Sequence, residues 1–220
     1  MIAVVDYHKG NLLSVERGLR GVGAEVTVTD DAVAVAAADA VVLPGVGAFA
    51  DAAASMKELG LDAAVRKVVE DGKPFLGICL GMHLMFENGI EHAPENGPLP
   101  TGLGLIPGTV GAMVRTDAAG VSYKIPHVGW NSVEWDRENP LFRGISSGEF
   151  FYFTHSFVAP ESDATIASTT HAVPFPCAVQ VPGRLAWGVQ FHPEKSSDAG
   201  ARMLANFVTI ATDRGLSVPS

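Results

Sequence analysis

The first ninety residues alternate between short apolar strand patterns and helical ones, which restricts the chain to a mostly parallel sheet covered by helices. Ile2–Asp6 is a short β-branched run, and Leu12, Val15, Leu19 and Val22 recur at helical spacing. Ala24–Thr29 and Ala40–Leu43 read as strands, and Phe49–Glu70 carries helical patterning interrupted near Gly60. Pro74–Ile78 is a fourth strand, and a helix over Leu80–Glu87 is expected straight after it.

Beyond Gly89 the texture changes. Glu91–Gly108 is rich in Pro and Gly and reads as a loop. Shorter strands follow at Thr109–Arg115, Ser132–Trp135, Glu149–Thr154, Ala164–Ser168, Cys177–Val181 and Leu185–Phe191, separated by turn residues. They suggest antiparallel additions to the sheet, and Ala199–Ala211 closes the chain as a helix. The expected class is α/β: an open, mostly parallel sheet flanked by helices, with added antiparallel strands. At 220 residues one well-buried core is feasible, so a single domain over 1–220 is expected.

Composition narrows the function classes. The net charge of −9 argues against a nucleic-acid footprint, which needs clustered Lys and Arg. Apolar runs such as Ala32–Ala38 fall far short of the ~20 residues of a membrane span. No basic region precedes the first apolar run, so no signal peptide is visible and a reducing, cytoplasmic setting is expected. The two cysteines, Cys79 and Cys177, are then free thiols.

One of them sits in Gly77-Ile78-Cys79-Leu80-Gly81, between a strand and a helix. That is the form of a nucleophile elbow, whose small flanking residues permit a tight turn exposing the nucleophile. A helix start just beyond favours thiolate and offers backbone N–H groups to an oxyanion. A glycine-flanked cysteine in an ordinary turn is the plain alternative, and the motif alone leaves both open. Phe191-His192-Pro193-Glu194 adds a base and a carboxylate that, in an extended chain, project to one side. Pro44-Gly45-Val46-Gly47 adds a turn whose backbone N–H groups can approach a substrate or flip. All three segments lie at carboxyl ends of expected strands, the edge where open α/β sheets bind ligands.

The chain resembles the class I, triad-type glutamine amidotransferases, a flavodoxin-like fold. Within them it is most similar to the glutaminase subunits of imidazole glycerol phosphate synthase. The matching segments are DYHKGNLLSV (6–15), LPGVGAF (43–49), GICLGMHLMFE (77–87), IPHVGWN (125–131), YFTHSF (152–157) and FHPEKSS (191–197). The resemblance implies that Cys79 attacks the carboxamide of L-glutamine, forming a thioester. His192 then handles the proton and Glu194 holds the ring. The amides of Leu80 and of the Val46–Gly47 turn would bind the oxyanion. Glu91 would bind the substrate's amino group, and the backbone of His155, Ser156 and Phe157 its carboxylate and amine.

The ammonia would pass to a cyclase partner, a (β/α)8 barrel making imidazole glycerol phosphate and AICAR in histidine biosynthesis. Asn11, His127, Trp130, Tyr152 and Lys195 would face that partner. Another class I amidotransferase subunit, of the anthranilate or aminodeoxychorismate synthase type, is the alternative. Neither a cofactor nor a metal is implied.

Three residues depart from the family pattern. His83 stands where a substrate-contacting glutamine is usual, and imidazole changes its charge near neutral pH. His8-Lys9 replaces a smaller pair, which bears on the docking surface. His92 and His171 lack metal-ligand spacing and receive no function, and Cys177 is expected in the core.

Overall fold

The computed structural model describes residues 1–8 and 12–213. The chain runs β1 (Ile2–Val5), α1 (Leu12–Gly21), β2 (Val26–Thr29), α2 (Ala32–Ala37) and β3 (Ala40–Leu43). It continues through α3 (Phe49–Glu58), α4 (Leu61–Glu70), β4 (Phe75–Ile78), α5 (Leu80–His83), β5 (Phe86–Gly89) and β6 (Ile106–Ala112). Then come β7 (His127–Val133), β8 (Glu149–His155), β9 (Phe157–Val158), β10 (Thr165–His171), β11 (Val173–Gln180), β12 (Ala186–Val189) and α6 (Ser197–Thr212).

The central sheet has the order β10-β11-β12-β4-β3-β1-β2. Pairing is parallel from β12 through β4, β3 and β1 to β2. Every residue of β1, β3, β4 and β12 is buried, as expected for strands covered on both faces. Side chains alternate between two cores. Ala3, Val5, Val41 and Leu43 pack with Met56, Leu61 and Val65 of α3 and α4. Ile2, Val4, Val42, Leu76 and Trp187 pack instead with Leu19 of α1 and Met203 and Phe207 of α6.

Only β10 and β11 are antiparallel additions to this sheet, and β12 pairs parallel with β4. The remaining late strands form separate layers. β7 and β8 make a two-stranded ribbon that begins at His127, five residues earlier than the expected strand. β5, β6 and β9 make a three-stranded sheet. Helix α2 lies outside the helical patterns named above. At six residues it is too short for a periodic signal, and its mark in the sequence is Asp31, whose carboxylate accepts from Val33 N at 2.8 Å.

The expected helix over Leu80–Glu87 stops after one turn. Loop backbone captures its next residues: Leu103 N donates to Leu84 O at 2.7 Å and Gly102 N to Glu87 O at 2.8 Å. Phe86 pairs with Ile106 in β5–β6. Long-range pairing overrides the local helical pattern.

Candidate active site

The three turns singled out in the sequence follow β3, β4 and β12, which are adjacent parallel strands in the sheet. Their carboxyl ends therefore converge. Cys79, directly after β4, holds φ 54° and ψ −108°, a conformation rarely adopted by a residue with a Cβ. That strain fits a cysteine held at a site better than one filling a core. The turn closes because the flanking residues are small. A Cβ on Gly81 would run into the carbonyl oxygen of Leu43, and one on Gly45 into the Tyr7 hydroxyl and 2.8 Å from Leu80 Cβ. The β3 turn thus rests directly on the elbow. Gly81→Ala is expected to destabilise the fold by at least about 3 kcal/mol, visible as a fall in melting temperature. A wild-type melting temperature would contradict this packing.

His192 is buried, and its Nδ1 lies 2.9 Å from Glu194 Oε1. The contact forms differently from the extended-chain expectation. His192 is extended, but Pro193–Lys195 is a turn of 3-10 helix, so Glu194 reaches the ring by folding back. Among the described residues Nε2 has no aligned hydrogen-bond partner, and it lies beside Cys79. Burial lowers the ring's proton affinity, but Cys79 and Glu194 outweigh it and bring the pKa to about 9. Charge on either partner favours imidazolium. This is a base that can take a thiol proton and hold it. The one-turn α5 supplies backbone N–H groups at Cys79 but little macrodipole.

A cleft of about 470 Å³ opens over Cys79 and brings together Val46, Gly47, Leu80, His83, Glu91, His155, Ser156 and Phe157. Gly47 takes φ 110° in the donor turn. Glu91 Oε2 accepts from Phe49 N at 3.1 Å, and burial raises its carboxyl above the ordinary carboxylate value. His83 is not the near-neutral titrating group expected. It is only 4% exposed, and burial pushes its pKa down to about 4, so the ring is neutral at pH 7.

His155 and His127 form a one-directional chain. His155 Nδ1 donates to Phe157 O at 2.9 Å, since a carbonyl only accepts. Its Nε2 must then accept from His127 Nδ1, 3.0 Å away, and His127 Nε2 accepts from Asn131 Nδ2 at 3.4 Å. Both rings are neutral in this arrangement, and burial lowers their pKa values to about 3 and about 4.

His127 therefore does not share a partner-facing surface with Trp130. Residues three apart on a strand point to opposite sides, so His127 turns inward at 5% exposure while Trp130 is 50% exposed. Tyr152 pairs with Trp130 across the ribbon, ring centroids 6.1 Å apart, and Lys195 Nζ lies 6.0 Å from the Tyr152 ring centre. The ribbon is tied to the base: His192 N donates to Tyr152 O at 2.9 Å, and Ser196 Oγ links Tyr152 N with His192 O. Asn11 and Lys9 lie outside the described residues. His8 is paired with Asp30 at 3.0 Å. His92 lines the mouth of the cleft and pairs with Asp51 at 3.3 Å, and His171 pairs with Lys124 O at 2.8 Å. Among the described residues no cluster of three His, Cys, Asp or Glu could hold a metal ion, and no helix is long and apolar enough to cross a membrane. Cys177 is fully buried in β11, as expected.

Sequence reasoning missed Gln190, which is fully buried with its amide 3.7 Å from Cys79 Sγ. No local pattern marks it: the chain bends at Gln190 and Phe191, and the pairing of β12 with β4 is what carries Gln190 to the sulfur.

Comparison with known proteins bears on this geometry. The family model for glutamine amidotransferase class-I matches residues 3–211. The chain belongs to the class I glutamine amidotransferase family. It is 46% identical over 216 residues to "Imidazole glycerol phosphate synthase subunit HisH" of Moorella thermoacetica, covering 97% of each chain. It is 44% identical over 222 aligned positions to the protein of that name from Symbiobacterium thermophilum, covering 100% of this chain and 98% of the other. A solved glutamine amidotransferase superposes with a TM-score of 0.69 at 20% identity, covering 96% of this chain and 98% of that one. A structure of PurLQS from Thermotoga maritima gives 0.69 at 17% identity, covering 94% and 97%. At those identities the structural likeness speaks for the fold alone.

Proposed function

We propose that this class I amidotransferase is the glutaminase subunit of imidazole glycerol phosphate synthase, hydrolysing L-glutamine and passing ammonia to a cyclase partner. The observation that carries the chemistry is the convergence of Cys79, His192 and Glu194 at neighbouring strand ends, with His192 Nδ1 2.9 Å from Glu194. The choice of synthase rests on identities of 42–46% to subunits of that name along nearly the whole chain.

In this reading His192 takes the Cys79 proton, and the sulfur attacks the carboxamide carbon. The oxyanion is met by the amide of Leu80 and by the Val46–Gly47 turn. His192, held as imidazolium by Glu194, then protonates the departing nitrogen, leaving a thioester that water hydrolyses to glutamate. Glu91 receives the substrate's ammonium, which stabilises its half-buried carboxylate, and the 155–157 backbone holds the α-carboxylate. A cytoplasmic location accompanies this reading, because both cysteines are unpaired.

The cyclase would dock on the outer face of the ribbon, where Val128, Trp130 and Phe150 are each at least half exposed. Such a patch supports a protein contact. Trp130→Ala is expected to weaken cyclase binding by about 30-fold or more, measured by titration, without lowering the melting temperature. Unchanged affinity would move the interface elsewhere. The decisive experiment mixes the chain with candidate synthase subunits and asks which one switches on glutaminase. Activation by an anthranilate or aminodeoxychorismate synthase subunit, and not by the cyclase, would overturn the assignment.

A further inference from the structure

Gln190 bridges two residues of the cleft from more than a hundred positions further along the chain. Its Oε1 lies 2.6 Å from His83 Nε2, and its Nε2 lies 3.7 Å from Cys79 Sγ. All three residues are more than nine-tenths buried. A carboxamide has one accepting end and one donating end, so fixing either fixes the other. Neutral His83 carrying its proton on Nε2 donates to Oε1, and the amide NH₂ must then face sulfur. The opposite orientation would aim a carbonyl oxygen at the thiolate.

From this geometry we infer that Gln190 holds the Cys79 sulfur in its ionised form through an N–H···S hydrogen bond, with His83 as the positioning residue that sets the amide's orientation. The inference rests on the reading of Cys79 as the nucleophile. It gives His83 a place in the site other than as a replacement contact to glutamine. A donor aimed at sulfur favours thiolate over thiol, and in a buried site the preference is stronger than in water. His83 suits the task because burial, the main cause of its lowered pKa, keeps it neutral throughout the physiological range. Sulfur thereby has two supports on the same stretch of chain: the imidazolium of His192 and the amide two residues earlier.

The test reads sulfur directly, without needing the partner or turnover. The rate of Cys79 alkylation by iodoacetamide is followed by mass spectrometry, with fully buried Cys177 as internal reference. Gln190→Met keeps the volume and removes the donor. Its Cys79 is expected to alkylate about tenfold more slowly at pH 7, with the gap closing at alkaline pH. Gln190→Glu, which sets a carboxylate against sulfur, is expected to be slower still. His83→Met should resemble Gln190→Met, whereas His83→Gln, whose amide can still donate to Gln190, should stay within about threefold of wild type.

In the assembled synthase, Gln190→Met should lower kcat for glutamine about tenfold with little change in KM, while ammonia-dependent synthesis is retained. Gln190 variants that melt near the wild-type temperature yet alkylate at its rate would overturn the inference. If they misfold, equal alkylation of His83→Met and His83→Gln would do so. Failure of the parent reading looks different: a Cys79→Ala protein would then still hydrolyse glutamine.

Discussion

Cys79→Ala is expected to abolish glutamine-dependent synthesis, by at least about a thousandfold, while the same complex supplied with ammonium salts turns over as wild type does. His192→Ala should behave alike. Without the ring, nothing at the elbow removes the thiol proton or returns it to departing ammonia, and Glu194 loses the group it orients at 2.9 Å. Retention of the ammonia route follows from geometry. The cleft over Cys79 is built from the ends of β3 and β4 and from the 155–157 segment. The exposed face proposed for docking lies on the far side of β7 from the inward-turned His127. Removing a sulfur from the cleft leaves that face intact. The check is paired assays with glutamine and with ammonia. Loss of both activities would contradict a separable ammonia-generating role, and equal ammonia release by wild-type and variant proteins would remove Cys79 from the chemistry.

The second large effect is an acid limit on stability. His83, His127 and His155 are buried and neutral, with folded pKa values of about 4, 4 and 3 against 6.5 for an unperturbed ring. Below about pH 6.5 the unfolded chain takes up protons that the folded chain refuses, so stability is lost as pH falls towards 4. Each ring acts with a slope approaching about 1.4 kcal/mol per pH unit. Between pH 6.5 and 4.5 the joint loss is on the order of 5 kcal/mol, a large share of a typical domain's stability.

His192 has the opposite sign. Its folded pKa of about 9 stabilises the fold below pH 6.5, and that contribution is lost as pH rises through 9. A stability maximum near pH 6.5 is therefore expected. Calorimetry should show the melting temperature falling by about 10 °C or more between pH 6.5 and 4.5. A flat profile over that window would mean that the rings are protonated in the folded state. The His155–His127 chain could not accommodate this, because Nε2 of His155 must accept.

The sequence by itself determined the parallel core and its chemistry-bearing ends. Four apolar runs, with helical patterns between the first two and between the last two, leave few arrangements, and nucleophile, base and donor turn each lay at a strand's carboxyl end. The elbow was legible because sterics confine its flanks to glycine. What only the tertiary structure decided depends on contacts between distant segments. Leu80–Glu87 has a helical pattern, yet backbone from 102–106 captures its second half and leaves a one-turn helix and a strand. His127 and Trp130 share one short motif, but the ribbon's pleat sends one inward and the other outward.

His83 looked like a titrating substitute for glutamine, because its burial and its bond to Gln190, 107 positions away, are invisible in local sequence. Cys79 itself was one of two candidate thiols. The sequence could place it on a turn, but only the adjacency of β12, β4 and β3 brought His192 and Gln190 to its sulfur. Strand order is set by packing across the whole sheet, and no segment encodes it alone.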